Sequence, residues 1–153
     1  TGVTADVNAS GTTGAVSVTG GAGVQTVTGG TGSLTAAMGL GNDIVTFGAA
    51  DGSTVDTFDL QSNAEVAVGQ VDKIYNFEIG VDKIDMSGLT LVNDGAGGVT
   101  DTVGIEDLGI SIGANKVTIA YTIDAAGGDY TATIELIGDY VGQSLGADNF
   151  IFA

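Results

Sequence analysis

The chain contains no cysteine, no histidine and no proline, and only three basic residues stand against 19 acidic ones. Without cysteine there can be no disulfide and no thiolate nucleophile. Without histidine there can be no Ser-His-Asp triad, and lacking both residues excludes the usual zinc sites. A formal charge of −16 argues against nucleic acid as a partner. Neutralising phosphates takes clustered Lys or Arg, and only Lys73, Lys83 and Lys116 are present. An anionic membrane or polysaccharide surface would also repel the chain unless a divalent cation bridged the two. No apolar run approaches the length of a membrane span, and no basic segment followed by an apolar stretch opens the sequence, so membrane insertion is not expected. Absence of cysteine suits export of an unfolded chain. Absence of proline and of sustained 3.6-residue periodicity predicts a nearly all-β protein.

At 153 residues, 43% of them apolar, the chain is expected to form a single domain, 1–153, with a core of its own. Its most regular feature is a glycine-led unit of nine residues, read as five consecutive copies: Gly2–Ser10, Gly11–Thr19, Gly20–Thr28, Gly29–Ala37 and Met38–Thr46. Fourth positions are Ala5, Gly14, Gly23, Gly32 and Gly41; eighth positions are Ala9, Val18, Val27, Ala36 and Val45. Glycine permits a tight turn, and the Val- and Thr-rich end of each unit suits a short strand with its eighth side chain inward. If two units complete one turn of a solenoid, the sixth positions stack as Val7, Gln25 and Asp43 on one side and Val16 and Leu34 on the other. The repeat is already in phase at Thr1, which raises the expectation that the roll continues upstream.

Beyond residue 46 the phase breaks. Asp56–Leu60 alternates as a half-buried strand, and Val71–Tyr75 and Val81–Asp85 echo one another at ten-residue spacing across a turn that ends at Gly80. Residues 47–90 are therefore read as capping strands. In 91–153 the sequence predicts an acidic loop over 94–107 with a short helical turn near 102–108, then a hairpin of Lys116–Ile123 and Tyr130–Ile137. A short apolar strand closes the sequence. Tyr121 and Tyr130 are expected to pack across the hairpin.

Gly39-x-Gly41-Asn42-Asp43-x-Val45-x-Phe47, then Asp51, then Asp72-x-Ile74-x-x-Phe77-x-x-Gly80-x-Asp82-Lys83-Ile84-Asp85-Met86-Ser87 resemble the hemolysin-type (RTX) calcium-binding family. The likeness is to the C-terminal β-roll domain of serralysin proteases and the R-modules of alginate epimerases, and it covers essentially the whole chain. Met38–Thr46 approaches the G-G-x-G-x-D-x-U-x unit of that family. The resemblance implies a right-handed parallel β-roll with a C-terminal antiparallel hairpin cap, and Ca²⁺ as cofactor. It implies Asp43 as ligand, with Asn42 and the carbonyls around Gly39 and Gly41 completing the shell, Asp51 and Asp72 reaching back from the cap, and Gln25 offering a neutral oxygen. Asp82 and Asp85 read as surface or capping acids; Asp94, Asp101, Glu106 and Asp107 read as a solvated acidic loop. Most sixth positions lack a carboxylate, so the roll is expected to be largely metal-free, gaining calcium chemistry towards residue 43.

Asp148–Phe152 is similar to the acidic, apolar terminus read by type I secretion machinery. The expected role is a non-catalytic calcium-binding module of a secreted or cell-surface structural protein, comparable in composition to surface-layer proteins. It would leave the cell unfolded and fold at extracellular calcium, where such modules bind with dissociation constants of about 10⁻⁴–10⁻³ M. The alternative is a polysaccharide-binding, R-module-like or auxiliary domain of a secreted enzyme. Self-association through the open N-terminal end of the roll is a further expectation.

Overall fold

The computed structural model describes residues 4–93, 103–125 and 127–153. Among them run strands β1 (Ala5–Asn8), β2 (Val16–Thr19), β3 (Gln25–Thr28), β4 (Leu34–Ala37), β5 (Ile44–Thr46), β6 (Thr57–Asp59), β7 (Val71–Tyr75) and β8 (Lys83–Asp85). Then follow β9 (Gly109–Ile112), β10 (Lys116–Ile123), β11 (Tyr130–Ile137) and β12 (Phe150–Ile151). Helical structure in these residues is confined to three 3-10 turns, at Asn63–Glu65, Ile105–Asp107 and Ala147–Asn149. Asp94 and Asp101 of the expected acidic loop lie outside the described residues.

From β1 to β8, odd and even strands separate into two sheets. One has the order β1-β3-β5-β7-β11-β10-β9, the other β12-β8-β6-β4-β2. Over β1 to β8 the chain therefore crosses between sheets after each short strand, and two strands make one coil. Every pairing from β1 to β8 is parallel, as are β7 with β11 and β8 with β12. β10 runs antiparallel to β11 and to β9, so the hairpin extends the larger sheet.

Alternation fixes which side chains point inward. Val27, Val45, Ile74 and Leu136 form an inner row on one sheet, and Ala36, Phe58, Ile84 and Phe150 face them from the other. All are buried. Valine and alanine at the N-terminal end give way to larger side chains as the coils lengthen. Stacked residues are 18 apart for Gln25 and Asp43, 22 for Leu34 and Asp56, 26 for Asp56 and Asp82, and 29 for Asp43 and Asp72. Residues inserted in the turns widen the tube, and bulkier side chains fill it to interior density.

Two readings from sequence are corrected. The nine-residue register is not unbroken: Ala5, not Val7, stands opposite Gln25, and Val7 stands opposite Val27. The turn after β1 supplies the physical reason, because it closes on itself. Ser10 N–H bonds the Asn8 side chain, and both Thr12 N–H and its hydroxyl bond the Ala9 carbonyl. Residues 71–85 are not a capping pair. β7 and β8 belong to opposite sheets and continue the coil, since the turn through Asn76 (φ 60°) and Gly80 (φ 85°) carries the chain across rather than back.

Glycine has a packing reason at the turns. A Cβ on Gly32 would lie 2.2 Å from the Gly14 carbonyl oxygen, and one on Gly41 2.1 Å from that of Gly23. Neighbouring coils thus stack backbone on backbone.

Candidate functional site

At the starts of β3, β4, β5 and β6 a buried backbone N–H, that of Gln25, Leu34, Asp43 or Asp56, is not taken by a carbonyl of the ladder. A side-chain oxygen from the next coil accepts it. On the larger sheet Asp43 Oδ1 accepts from Gln25 N (2.7 Å), and Asp72 Oδ1 accepts from Asp43 N (2.9 Å). On the smaller sheet Asp56 Oδ1 accepts from Leu34 N (2.6 Å), and Asp82 Oδ1 accepts from Asp56 N (2.9 Å). All four carboxylates are buried. They form two stacks, one on each wall of the roll.

The stacks differ in how their second oxygens are used. Asp56 Oδ2 accepts from Gly48 N (2.9 Å) and Asp82 Oδ2 from Glu78 N (2.7 Å), so every oxygen of that wall holds a backbone N–H. On the other wall Asp72 Oδ2 accepts from Gln70 Nε2 at 3.0 Å, and the same amide donates to the Gly39 carbonyl at 3.2 Å. Gln70 Oε1 accepts from Ala67 N and Gly41 N. Of the carboxylate oxygens in these two stacks only Asp43 Oδ2 has no hydrogen-bond partner, although it is buried.

Burial pushes the Asp43 carboxyl up to about 7; the Gln25 N–H opposes the rise and the neighbouring Asp72 charge adds to it. Burial raises Asp72 to about 6 against the Asp43 N–H and the Gln70 amide. Asp82 also rises to about 6, again through burial, opposed by the Glu78 and Asp56 N–H groups and helped by the Asp56 and Glu78 charges.

Asp43 Oδ2, Asp72 and the Gly39 carbonyl are hard oxygens of the kind Ca²⁺ takes, and an uncompensated buried carboxylate oxygen is costly unless something positive meets it. On the wall of Asp43 only Asp43 Oδ2 is uncommitted, since Asp72 accepts from Asp43 N and the Gln70 amide, and the Gly39 carbonyl accepts from that same amide. On the wall of Asp56 and Asp82 every carboxylate oxygen is committed to a backbone N–H. No group of three His, Cys, Asp or Glu side chains able to hold a metal is found among the described residues.

The remaining residues named from sequence are dispersed. Asn42 Oδ1 accepts from Val71 N, bracing the turn beside Asp43. Gln25 is buried in the same stack, where its Oε1 accepts from Gly21 N at 3.5 Å. Asp51 lies apart on the surface, its carboxylate accepting from the hydroxyls and N–H groups of Thr54 and Ser53. Those bonds, the Thr54 hydroxyl foremost, hold its carboxyl well below the usual range. Asp82 is not a surface acid, since burial beneath the Glu78 turn makes it a link in the second stack. Asp85 accepts from Ser87 in a local turn, and Asp107 accepts from Gly104 N. Tyr121 faces Ala132 and Tyr130 faces Ile123, so the two rings are diagonal rather than opposed, and the Tyr130 hydroxyl bonds the Asn63 and Val66 carbonyls.

Sequence reasoning missed Asp56 and Gln70. A signal for Asp56 exists: Asp43-Ile44-Val45, Asp56-Thr57-Phe58, Asp72-Lys73-Ile74 and Asp82-Lys83-Ile84 share one Asp-x-apolar pattern at four strand starts. Gln70 carries none.

No protein-family model matches the chain, and no curated protein is similar to it. Among solved structures it is similar to the solution structure of the AlgE6R2 subunit from the Azotobacter vinelandii mannuronan C5-epimerase. That match has 25% identity and a TM-score of 0.52, and covers 99% of this chain and 88% of that one. The AlgE6R3 subunit of the same enzyme is matched at 23% identity and a TM-score of 0.37, over 98% of this chain and 79% of that one. The architecture is thus all-β and parallel, like an R-module β-roll. No helix among the described residues is long and apolar enough to cross a membrane.

Proposed function

We propose that the chain is a non-catalytic, R-module-like auxiliary domain of an exported enzyme, a right-handed β-roll with a hairpin cap that binds polysaccharide outside the cell. The observation that carries this reading is the likeness to AlgE6R2 along nearly the whole chain. Mannuronan is a polymer of uronate, and a chain of charge −16 repels a polyanion. Binding is therefore expected to require a bridging divalent cation. Calorimetric titration with mannuronan oligomers, in millimolar Ca²⁺ and again in chelator, tests it. Saturable binding in Ca²⁺ supports the reading; no saturable heat in either buffer rejects it.

A second reading is favoured by a specific atom, the unpartnered Asp43 Oδ2. In this reading the chain is a calcium-binding structural module of a protein secreted by a type I exporter to the cell surface. Asp43 and Asp72 would hold one Ca²⁺, with Gln25, Asn42, Gly39 and Gly41 shaping the turns around it. Asp51 would contribute only after giving up its bonds to Ser53 and Thr54. A bound ion supplies positive charge that offsets the two stacked carboxylates. Binding to the folded state alone adds about 1–2 kcal/mol at about ten times the dissociation constant. Circular dichroism across a Ca²⁺ titration, with Asp43→Asn as control, tests this reading. Calcium-induced stabilisation that survives Asp43→Asn would reject the assignment.

A further inference from the structure

The two ends of the roll are not alike. At the C-terminal end the smaller sheet finishes on the two-residue β12, with Leu145, Asn149 and Phe150 buried beside it. At the N-terminal end β1 and β2 are sheet edges, each paired on one side only. Between them opens a cavity of about 320 Å³, lined by Ala5, Val7, Val18, Gln25 and Val27 among others. Val27, Val45 and Ile74 are each 0% exposed, whereas Val7, in the same inner row, is 38% exposed. At this end the inner side chain that has a coil on one side only is left open.

Gly14 supplies an independent observation. Its counterparts sit directly beneath a carbonyl of the preceding coil: Gly32 under Gly14, Gly41 under Gly23, and Gly48 under Gly30, where a Cβ would approach the oxygen to 2.2, 2.1 and 2.3 Å. Gly14 leads the same column, yet a Cβ there would meet nothing within 4 Å. Gly14 is also absent from the positive-φ positions. Among the described residues neither space nor backbone conformation calls for glycine at 14.

We propose that the open end receives one further parallel coil of the same nonapeptide pattern. A turn carbonyl of that coil lies over Gly14, and its inward apolar side chains seal Val7 and Val18. The coil continues an interface the molecule already uses six times, once for each parallel pairing from β1 to β8. A second copy of this chain fits less well. Its C-terminal end presents only the two-residue β12 on the smaller sheet and the antiparallel β11-β10-β9 on the larger, and its N-terminal end would meet β1 head to head, where strands run antiparallel and no turn carbonyl reaches Gly14. The proposal rests on the roll reading alone and is independent of calcium and of polysaccharide.

The test is a graft of the two units Gly11–Thr28, copied directly upstream of Gly2, combined with Gly14→Ala. In the 153-residue chain Gly14→Ala is expected to leave the melting temperature unchanged. The graft is expected to raise that temperature and the urea m-value, because it buries the exposed end. Within the grafted chain Gly14→Ala should then lower the melting temperature by about 4–8 °C, as an overpacked contact does. A graft that gives no stabilisation, or a Gly14→Ala effect that is the same in both chains, overturns the proposal. So does a dimer of the ungrafted chain, seen by light scattering, that Val7→Lys dissolves. Failure of the ungrafted chain to show a cooperative all-β transition would instead remove the roll reading beneath it.

Discussion

Asp56 is the residue on which the wall of the smaller sheet turns, and replacing it with alanine is the most informative perturbation. The substitution strips acceptors from Leu34 N and Gly48 N, which lie 2.6 and 2.9 Å from the two carboxylate oxygens. Hydrogen bonds to a charged group contribute about 1.5–3 kcal/mol each, so two of them amount to about 3–6 kcal/mol. Against this stands relief of repulsion, since Asp56 lies near the buried Asp82. Charges about 4 Å apart near a protein surface interact by up to about 4 kcal/mol before screening, and part of that is recovered. A net loss of about 2–4 kcal/mol is expected, a large share of the roughly 5–15 kcal/mol that holds a domain together. Asp56→Asn keeps one acceptor oxygen and should lose about half as much. Equilibrium urea unfolding followed by far-ultraviolet circular dichroism measures both, in Ca²⁺ and in chelator. Because neither oxygen is free for a cation, the loss should be equal in the two buffers. A loss under about 1 kcal/mol for alanine, or one that appears only in Ca²⁺, would refute the assignment of this wall to hydrogen bonding.

Stability should fall as pH rises. Folding raises Asp43 to about 7 and Asp72 and Asp82 to about 6 from an ordinary 3.8. The folded state therefore holds these protons more tightly, and the contribution is complete below 3.8 and lost as pH climbs through 6 to 7. Thermal melts in chelator should show a lower midpoint at about pH 8 than at about pH 5, with a shallower slope in Asp43→Asn; a midpoint that rises with pH contradicts the burial. Gly41→Ala combines a φ of 142° with a Cβ 2.1 Å from the Gly23 oxygen, so a loss of about 2–4 kcal/mol is expected in urea unfolding. Tyr121→Phe removes a buried hydroxyl that has no hydrogen-bond partner; urea unfolding should show a change within about 0.5 kcal/mol or a gain in stability.

Much of the architecture is legible along the chain. The Val-x-Val and Asp-x-apolar strand starts, the nine-residue phase of 11–46 and the hairpin at 116–137 each declare a local period, and local periods are what a sequence prints. Stacking is a different matter. Once turn insertions change the coil length from 18 residues to 22, 26 and 29, counting along the chain no longer tells which residues meet. That is why the sequence does not single out Asp56, why residues 71–85 read as a cap, and why counting by nines sets Val7 opposite Gln25.

The sequence alone determined that this protein has no disulfide or histidine chemistry, that it is built from short strands, and that its glycines mark tight turns. Only the tertiary structure decided which acids leave the solvent. Asp43, Asp56, Asp72 and Asp82 are buried while Asp51 and Asp85 are not, because burial is set by the neighbouring coil that supplies an N–H to each carboxylate. That neighbour lies up to 29 residues away, beyond the reach of any local pattern.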